Sequence, residues 1–383
     1  MDDYWVWCGS CVKGEDGRFH LFASRWPKSL PMHPGWIVAS EIVRASADRP
    51  DGPYAFEEVV LPARGAEYWD GRSTHNPHIV KHGDTYLLFY MGSTHPLGDP
   101  EPGDGFGLSD PRCIVGRANK RIGLATANSV FGPWTRADEP ILQTRPGRFD
   151  SFLTSNPAPV VHEDGSVLLI YKARQYEGNT HGRMTIGAAQ AEHYLGPYRV
   201  LSEEPVFPPD RFHLEDPFVW YVPAVGDANG EGGAVGGRGN GESDDGRSEV
   251  RRGRDEGEAD EGGSDGGESS RGSDRGRGRG GWYELIAKDM DGNLCGEKYG
   301  GVRARSADGL TWTLCEDGPK AYSRHIRWDD GTEQVLGNME RPFLLFQDGK
   351  PTHLFAAVSD GATGFTDATG TWNQVFPLDS AGK

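Results

Sequence analysis

One short phrase recurs along the chain: a polar or acidic residue, a proline, then an apolar run. It reads His213-Leu214-Glu215-Asp216-Pro217-Phe218-Val219-Trp220 in one copy and His75-Asn76-Pro77-His78-Ile79-Val80 in another. Two further copies are Ser155-Asn156-Pro157-Ala158-Pro159-Val160 and Glu340-Arg341-Pro342-Phe343-Leu344-Leu345. Units this short cannot bury both faces of a sheet alone, so repetition at this spacing predicts stacked copies around a common axis.

Each copy is followed by a polar turn and a second apolar run. His162-Glu163-Asp164-Gly165 precedes Val167-Leu168-Leu169-Ile170-Tyr171, and Lys81-His82-Gly83-Asp84 precedes Tyr86-Leu87-Leu88-Phe89-Tyr90. Runs of β-branched, leucine and aromatic residues split by Asp-Gly or Gly-Asp read as hairpins, and they lack the 3.6-residue period of a helix. A third strand follows at Ile42, Ile122, Ile186 and Val302, and the first three units then carry Gly-Pro-Tyr or Gly-Pro-Trp. The expectation is an all-β, five-bladed β-propeller of antiparallel four-stranded blades opening near Trp5, His75, Ser155, Glu215 and Glu340. The fifth blade is short of strands, and Thr371-Trp372-Asn373 is expected to open its outer one.

The whole chain, 1–383, reads as a single domain interrupted within the fourth blade by residues 224–281. That stretch is built of Gly, Arg, Asp, Glu and Ser, with no aromatic residue, Ile or Leu, so it is expected to be a disordered insertion: burial cannot offset its ordering entropy. If the acidic residues open the inner strands, the turn that holds the insertion lies at the opposite mouth of the channel.

The formal charge of −17 argues against nucleic acid as a partner, since phosphate recognition needs a basic face. No apolar run is long enough to span a membrane, and Met1-Asp2-Asp3-Tyr4-Trp5 lacks a signal-peptide pattern, so a cytoplasmic location is expected. The scattered cysteines Cys8, Cys11, Cys113, Cys295 and Cys315 read as structural thiols. His75 and His78 point to opposite faces of one strand and do not make a joint metal site, so neither a metal nor another cofactor is expected.

In a propeller the inner strands line the channel, and the residues that open them converge at one mouth. Here these are His75, Asn76, Ser155, Asn156, Glu215, Asp216, Glu340 and Arg341, with Cys8 and Gly9 in the first blade. Asp3, Asp70, Asp150 and Asp210 each stand at one fixed interval before Gly9, Asn76, Asn156 and Asp216. A turn-capping device is the structural reading of that spacing, with Asp3 and Asp70 kept as catalytic candidates. Trp5, Trp36 and Trp69 are candidates for stacking on a sugar face or for packing between blades. Residues 25–36 and 94–117 form long connections of the kind that carry binding groups.

These Asp-Pro and Glu-x-Pro openings, the Gly-Pro-aromatic strand endings and the count of five units resemble the five-bladed propeller glycosidases, the arabinanase, invertase and levansucrase group. The resemblance implies hydrolysis of a glycosidic bond in an oligo- or polysaccharide by a carboxylate pair, one protonated and one ionised. It assigns Glu340 as general acid, Asp216 as base or modulator of the acid's pKa, and Glu215 as a further acid candidate. Asp3, Asp70 or a histidine would replace the aspartate missing from the first blade. Family 117 of this group uses a histidine acid, which points to His325; His75, Asn76, Asn156, Arg341 and Trp5 complete the expected substrate contacts. A glycoside phosphorylase, with phosphate held by Arg341, Arg324 and Arg327, and a non-catalytic sugar-binding propeller are the rival expectations.

Overall fold

The computed structural model describes residues 1–101, 104–224 and 280–378. Among the described residues five antiparallel sheets of three to five strands follow one another along the chain, with two two-stranded ribbons besides. The inner strands are Tyr4–Lys13, Ser73–His82, Leu153–Val161, Leu214–Val222 and Asn338–Gln347. Each pairs with the next strand in a hairpin, and in the first four blades a third and a fourth strand continue outward. The fifth blade has three strands, so Thr371–Pro377 is its third and outermost. The ring closes there: Val6 N donates to Thr371 Oγ1 at 2.9 Å and Gly9 N to Asn373 Oδ1 at 2.8 Å.

The apolar core lies between neighbouring blades. Leu168 and Ile170 of the third blade pack with Val219, Leu285 and Val302 of the fourth, and Phe22 and Ile42 of the first with Ile79, Leu88 and Tyr90 of the second. Strand alternation makes this possible, because every second residue of a blade faces the preceding blade and the others face the next. Each such side chain contributes about 1.5–3 kcal/mol, so the stack rather than any one blade is the stable unit.

At one position in every inner strand the backbone leaves the β region. Cys8, Asn76, Asn156, Asp216 and Arg341 have φ of 59, 54, 50, 56 and 53°, and the hairpin register slips there in all five blades. A bulge with one left-handed residue re-aims its side chain into the channel. Asparagine and aspartate tolerate this region best, which accounts for three of the five identities. The first-blade equivalent of Asn76 is therefore Cys8 and not Gly9, a correction of one residue to the repeat alignment; Gly9 takes the place of the proline.

That correction removes Asp3 from the aspartate series. Asp3 is exposed at the start of the first inner strand, and so is Asp210 before the fourth. Asp70 and Asp150 are fully buried clamps: Asp70 accepts from Arg64 Nε at 2.6 Å and Tyr90 Oη at 2.7 Å, Asp150 from Arg145 Nε at 2.9 Å and Tyr171 Oη at 3.0 Å. These aspartates hold loops to second strands, and a role for Asp3 or Asp70 in the chemistry does not fit their places.

The expected disorder of the 224–281 insertion concerns residues that, from 225 to 279, lie outside those described. Its attachment points are clear: Val222 pairs with Trp282 at the far end of the hairpin from the Glu215 and Lys288 pair. Among the described residues no helix is long and apolar enough to cross a membrane.

Candidate active site

The five bulge residues meet on the axis and bond to one another. The Cys8 thiol donates to Asn76 Oδ1 at 2.9 Å, Asn76 Nδ2 to Asn156 Oδ1 at 2.8 Å, and Asn156 Nδ2 to Asp216 Oδ1. Arg341 N donates to Asp216 Oδ2 at 3.2 Å, and Arg341 Nη1 lies 3.7 Å from Asp216 Oδ1. The ring floors a cavity of about 270 Å³ at the mouth where the inner strands begin. Below it, His78 stacks on Phe218 with ring centroids 5.5 Å apart and lines the opposite mouth with the hairpin turns. His75 lies above the ring and His78 below, so they share no ligand position.

Glu215 and Glu340 rise from the fourth and fifth inner strands beside this ring. Between them stands Lys288, in the second strand of the fourth blade, Trp282–Asp289, and 1 % exposed. Its Nζ binds Glu340 Oε1 at 2.5 Å and Glu215 Oε2 at 2.7 Å, and lies 3.5 Å from Asp216 Oδ2. Lys172, from the second strand of the third blade, Val167–Arg174, binds the other oxygen of Glu215. The two lysines come from equivalent places, opposite Glu215 and Ser155 in their hairpins.

This asymmetry separates the two glutamates. Burial, reinforced by the charges of Asp216 and Glu215, pushes the Glu340 carboxyl up to about 7 against the pull of Lys288. Burial also disfavours charge on Glu215, but Lys172 and Lys288 outweigh it and hold that carboxyl well below the ordinary range. Burial opposes the Lys288 charge as well, yet Glu215, Glu340 and Asp216 keep it well above the usual lysine value. One carboxyl is thus a proton donor near neutrality and its neighbour an anion, the division of labour of an acid and base pair. Glu215, expected as a further acid, has the opposite property. Oxygens of Glu215, Asp216 and Glu340 lie within 4.8 Å of one another, a spacing that metal ligands also adopt; here the Lys288 ammonium supplies the countercharge.

Of the expected substrate contacts, His75, Asn76, Asn156 and Arg341 line the cavity. The amides of Asn76 and Asn156 are spent on the ring, and His75 is held by Ser40 Oγ at 2.8 Å on Nδ1 and stacked on Trp36 at 4.7 Å. Arg341 is different: its Nε and Nη1 are buried without a hydrogen-bond partner. Trp5 is not a wall of the cavity, since its Nε1 donates to Leu30 O at 2.9 Å inside the first-blade loop; Trp69 packs on Tyr90. His325 is exposed on a two-stranded ribbon, His325–Arg327 with Glu333–Val335, and Arg324 donates to the carbonyls of Leu336 and Gly337. Neither reaches the cavity, so the histidine acid and the proposed phosphate clamp of Arg324 and Arg327 are not assembled.

The two long loops do supply walls. Met32, His33 and Trp36 come from the first, and Leu108 and Arg117 from the second, joined by Trp7, Trp26 and Phe365. The sequence reading missed Trp7, Trp26, Phe365, Lys120, Lys172, Lys288, Arg117 and Arg174. Hairpin register was the available signal for Lys172, because counting back from the Asp164-Gly165 turn sets it opposite the opening of its inner strand.

No protein-family model matches the sequence, and no curated protein matches it either. Similar solved structures include Zg3597, a family 117 glycoside hydrolase produced by the marine bacterium Zobellia galactanivorans, with a TM-score of 0.56 and 15% identity over 98% of this chain and 85% of that one. A family 43 β-xylosidase/α-arabinofuranosidase from a compost microbial metagenome, in complex with xylotriose, gives 0.52 and 13% identity over 100% and 93%. A GH43_1 enzyme from Xanthomonas citri complexed with xylotriose gives 0.51 and 14% identity over 100% and 90%. At these identities the likeness is one of fold, and it agrees with the five-bladed architecture expected from the repeats.

Proposed function

We propose that the protein is a glycoside hydrolase acting on a carbohydrate in the cavity above the ring. Glu340 donates the proton to the leaving oxygen, and Glu215 is the ionised partner that stabilises or attacks the sugar carbon. Asp216 positions Arg341 and raises the proton affinity of Glu340. Arg341 and Trp26 line the cavity beside the sugar, and Trp7 and Phe365 offer apolar surface for a ring. The observation that carries this reading is the opposed proton affinity of two neighbouring carboxyls that share one ammonium. That the similar solved structures are largely glycoside hydrolases supports it.

A second reading, sugar binding without turnover, has one observation in its favour: the first-blade ring position is a thiol, Cys8, which burial holds well above its ordinary pKa. The test is a panel of plant, algal and bacterial oligosaccharides, with and without phosphate, analysed by mass for released sugars. Turnover by the wild type that vanishes in both Glu340→Gln and Glu215→Gln supports the hydrolase. Full activity in either variant rejects its assigned role, and binding without release by the wild type selects the second reading.

A further inference from the structure

Besides the glutamates, the cavity is lined by cations. Arg117 lies in the helix Pro111–Ala118, Lys120 just after it, and Lys172 and Arg174 two residues apart on one face of their strand. Lys172 is neutralised by Glu215. Lys120, Arg117 and Arg174 make no salt bridge to a carboxylate among the described residues, in a chain with 57 acidic and 40 basic side chains.

Lys120 is the sharpest case. It is 4 % exposed, lines the cavity, and its Nζ makes no hydrogen bond or salt bridge among the described residues; it rests 3.9 Å above the Trp36 ring centroid. A ring face attracts an ammonium but offers it no acceptor. The half-buried arginines share one histidine: Arg117 Nη1 meets His181 Nε2 at 3.1 Å, and Arg174 Nη1 meets His181 Nδ1 and donates to Gly182 O at 3.1 Å. A neutral imidazole has one acceptor nitrogen, so it satisfies one guanidinium and presents an N–H to the other. A buried cation without an acceptor, as Lys120 is, is costly, and a bound anion completes its site.

We propose that Lys120, Arg117 and Arg174 form a subsite for an oxyanion: a carboxylate or sulfate borne by the sugar, or a free phosphate that takes part in the reaction. The inference rests on the glycosidase reading for the setting of this anion, in the cavity that holds the sugar. Its chemistry is independent of turnover. The bidentate geometry of the arginines suits a planar or tetrahedral oxyanion, with Lys120 as a point charge at its side. Burial and the charges of Lys172, Arg117 and Arg174 push the Lys120 ammonium well below the ordinary range, a cost that a bound anion relieves.

The probes are D-galacturonate, sulfate and inorganic phosphate, with D-galactose as the neutral control, titrated calorimetrically into the wild type and into Lys120→Met. The expected result is that at least one oxyanion binds far better than galactose, and that Lys120→Met weakens it by about tenfold or more. The thermal midpoint of unliganded Lys120→Met should equal or exceed that of the wild type, which separates loss of the subsite from loss of the fold. Absence of oxyanion binding to the wild type, or equal affinity in Lys120→Met, overturns the proposal. Release from uronate-terminated oligosaccharides without phosphate assigns the anion to the sugar, whereas release only with phosphate assigns it to a free co-substrate. Hydrolysis of neutral oligosaccharides by a wild type that binds none of the three oxyanions sinks the subsite and leaves the glycosidase standing. Silence on every sugar with Lys120-dependent anion binding does the reverse.

Discussion

Replacing Glu340 by glutamine keeps the side chain's shape and removes its titration, so it separates two claims about this residue. In the wild type, burial with the charges of Asp216 and Glu215 holds the carboxyl at about 7, against 4.5 for an ordinary glutamate. That difference, at about 1.4 kcal/mol per pH unit, makes about 3 kcal/mol. The folded protein binds this proton more tightly than the unfolded chain does. Its stabilising contribution is therefore fully present below about pH 4.5 and is lost as pH rises through about 7. Lys288, held well above its usual range, keeps its charge throughout and does not distort the step.

Urea unfolding of both proteins over that interval is the assay. Subtracting the profiles cancels groups that do not interact with Glu340, and the glutamine variant should gain about 3 kcal/mol on the wild type from the acid to the alkaline end. Profiles that run parallel would refute the argument for a raised carboxyl. The same titration sets the alkaline limb of activity: kcat/KM should fall above about pH 7, and glutamine should cost about 10²–10⁴-fold at the optimum. A stability step without that loss would leave the titration correct and the role of acid wrong.

Lys288→Met strips the ammonium from among three carboxyls, two of them buried, and a loss of about 3–5 kcal/mol is expected in the same unfolding assay; unchanged stability would mean that the cluster is not held by this ion pair. If Glu215 attacks the sugar carbon, the first product should keep its anomeric configuration by proton NMR. An inverted product would exclude Glu215 as nucleophile. Joining Val222 to Trp282 through a short turn, without residues 223–281, should leave kcat/KM unchanged, because that pair closes the hairpin at its end remote from Glu215 and Lys288. A large fall would place the insertion in the reaction.

The fold was legible because it is written several times over. Apolar hairpins in near-identical copies left little choice but a propeller, and the blade openings at His75, Ser155, Glu215 and Glu340 fall inside the observed inner strands. What misled was local. Cys8-Gly9 does not look like Asn-Pro, so the first repeat slipped by a residue and made Asp3 part of a series to which it does not belong. The cations were invisible for another reason: Lys172 and Lys288 sit on second strands, where a sequence offers only apolar runs with a lysine near the end. Their meaning comes from register across the hairpin, and for Lys288 the insertion hides the turn from which that register would be counted.

The bulge ring explains how one scaffold can carry such different chemistry. Five backbone positions share a conformation with φ between 50 and 59°, yet their side chains are a thiol, two amides, a carboxylate and a guanidinium. The backbone aims all five at the axis whatever they are, so the fold does not constrain their charge. The charge that matters is then set one residue before the bulge, at Glu215 and Glu340, and one strand out, at Lys172 and Lys288. At the equivalent hairpin places the second and fifth blades have Met91 and Ala357, opposite His75 and Glu340. Only the third and fourth blades put an ammonium there. Glu215 stands between both ammonium groups and Glu340 reaches one, and that difference of a single lysine shifts the proton affinities of two similar glutamates in opposite directions.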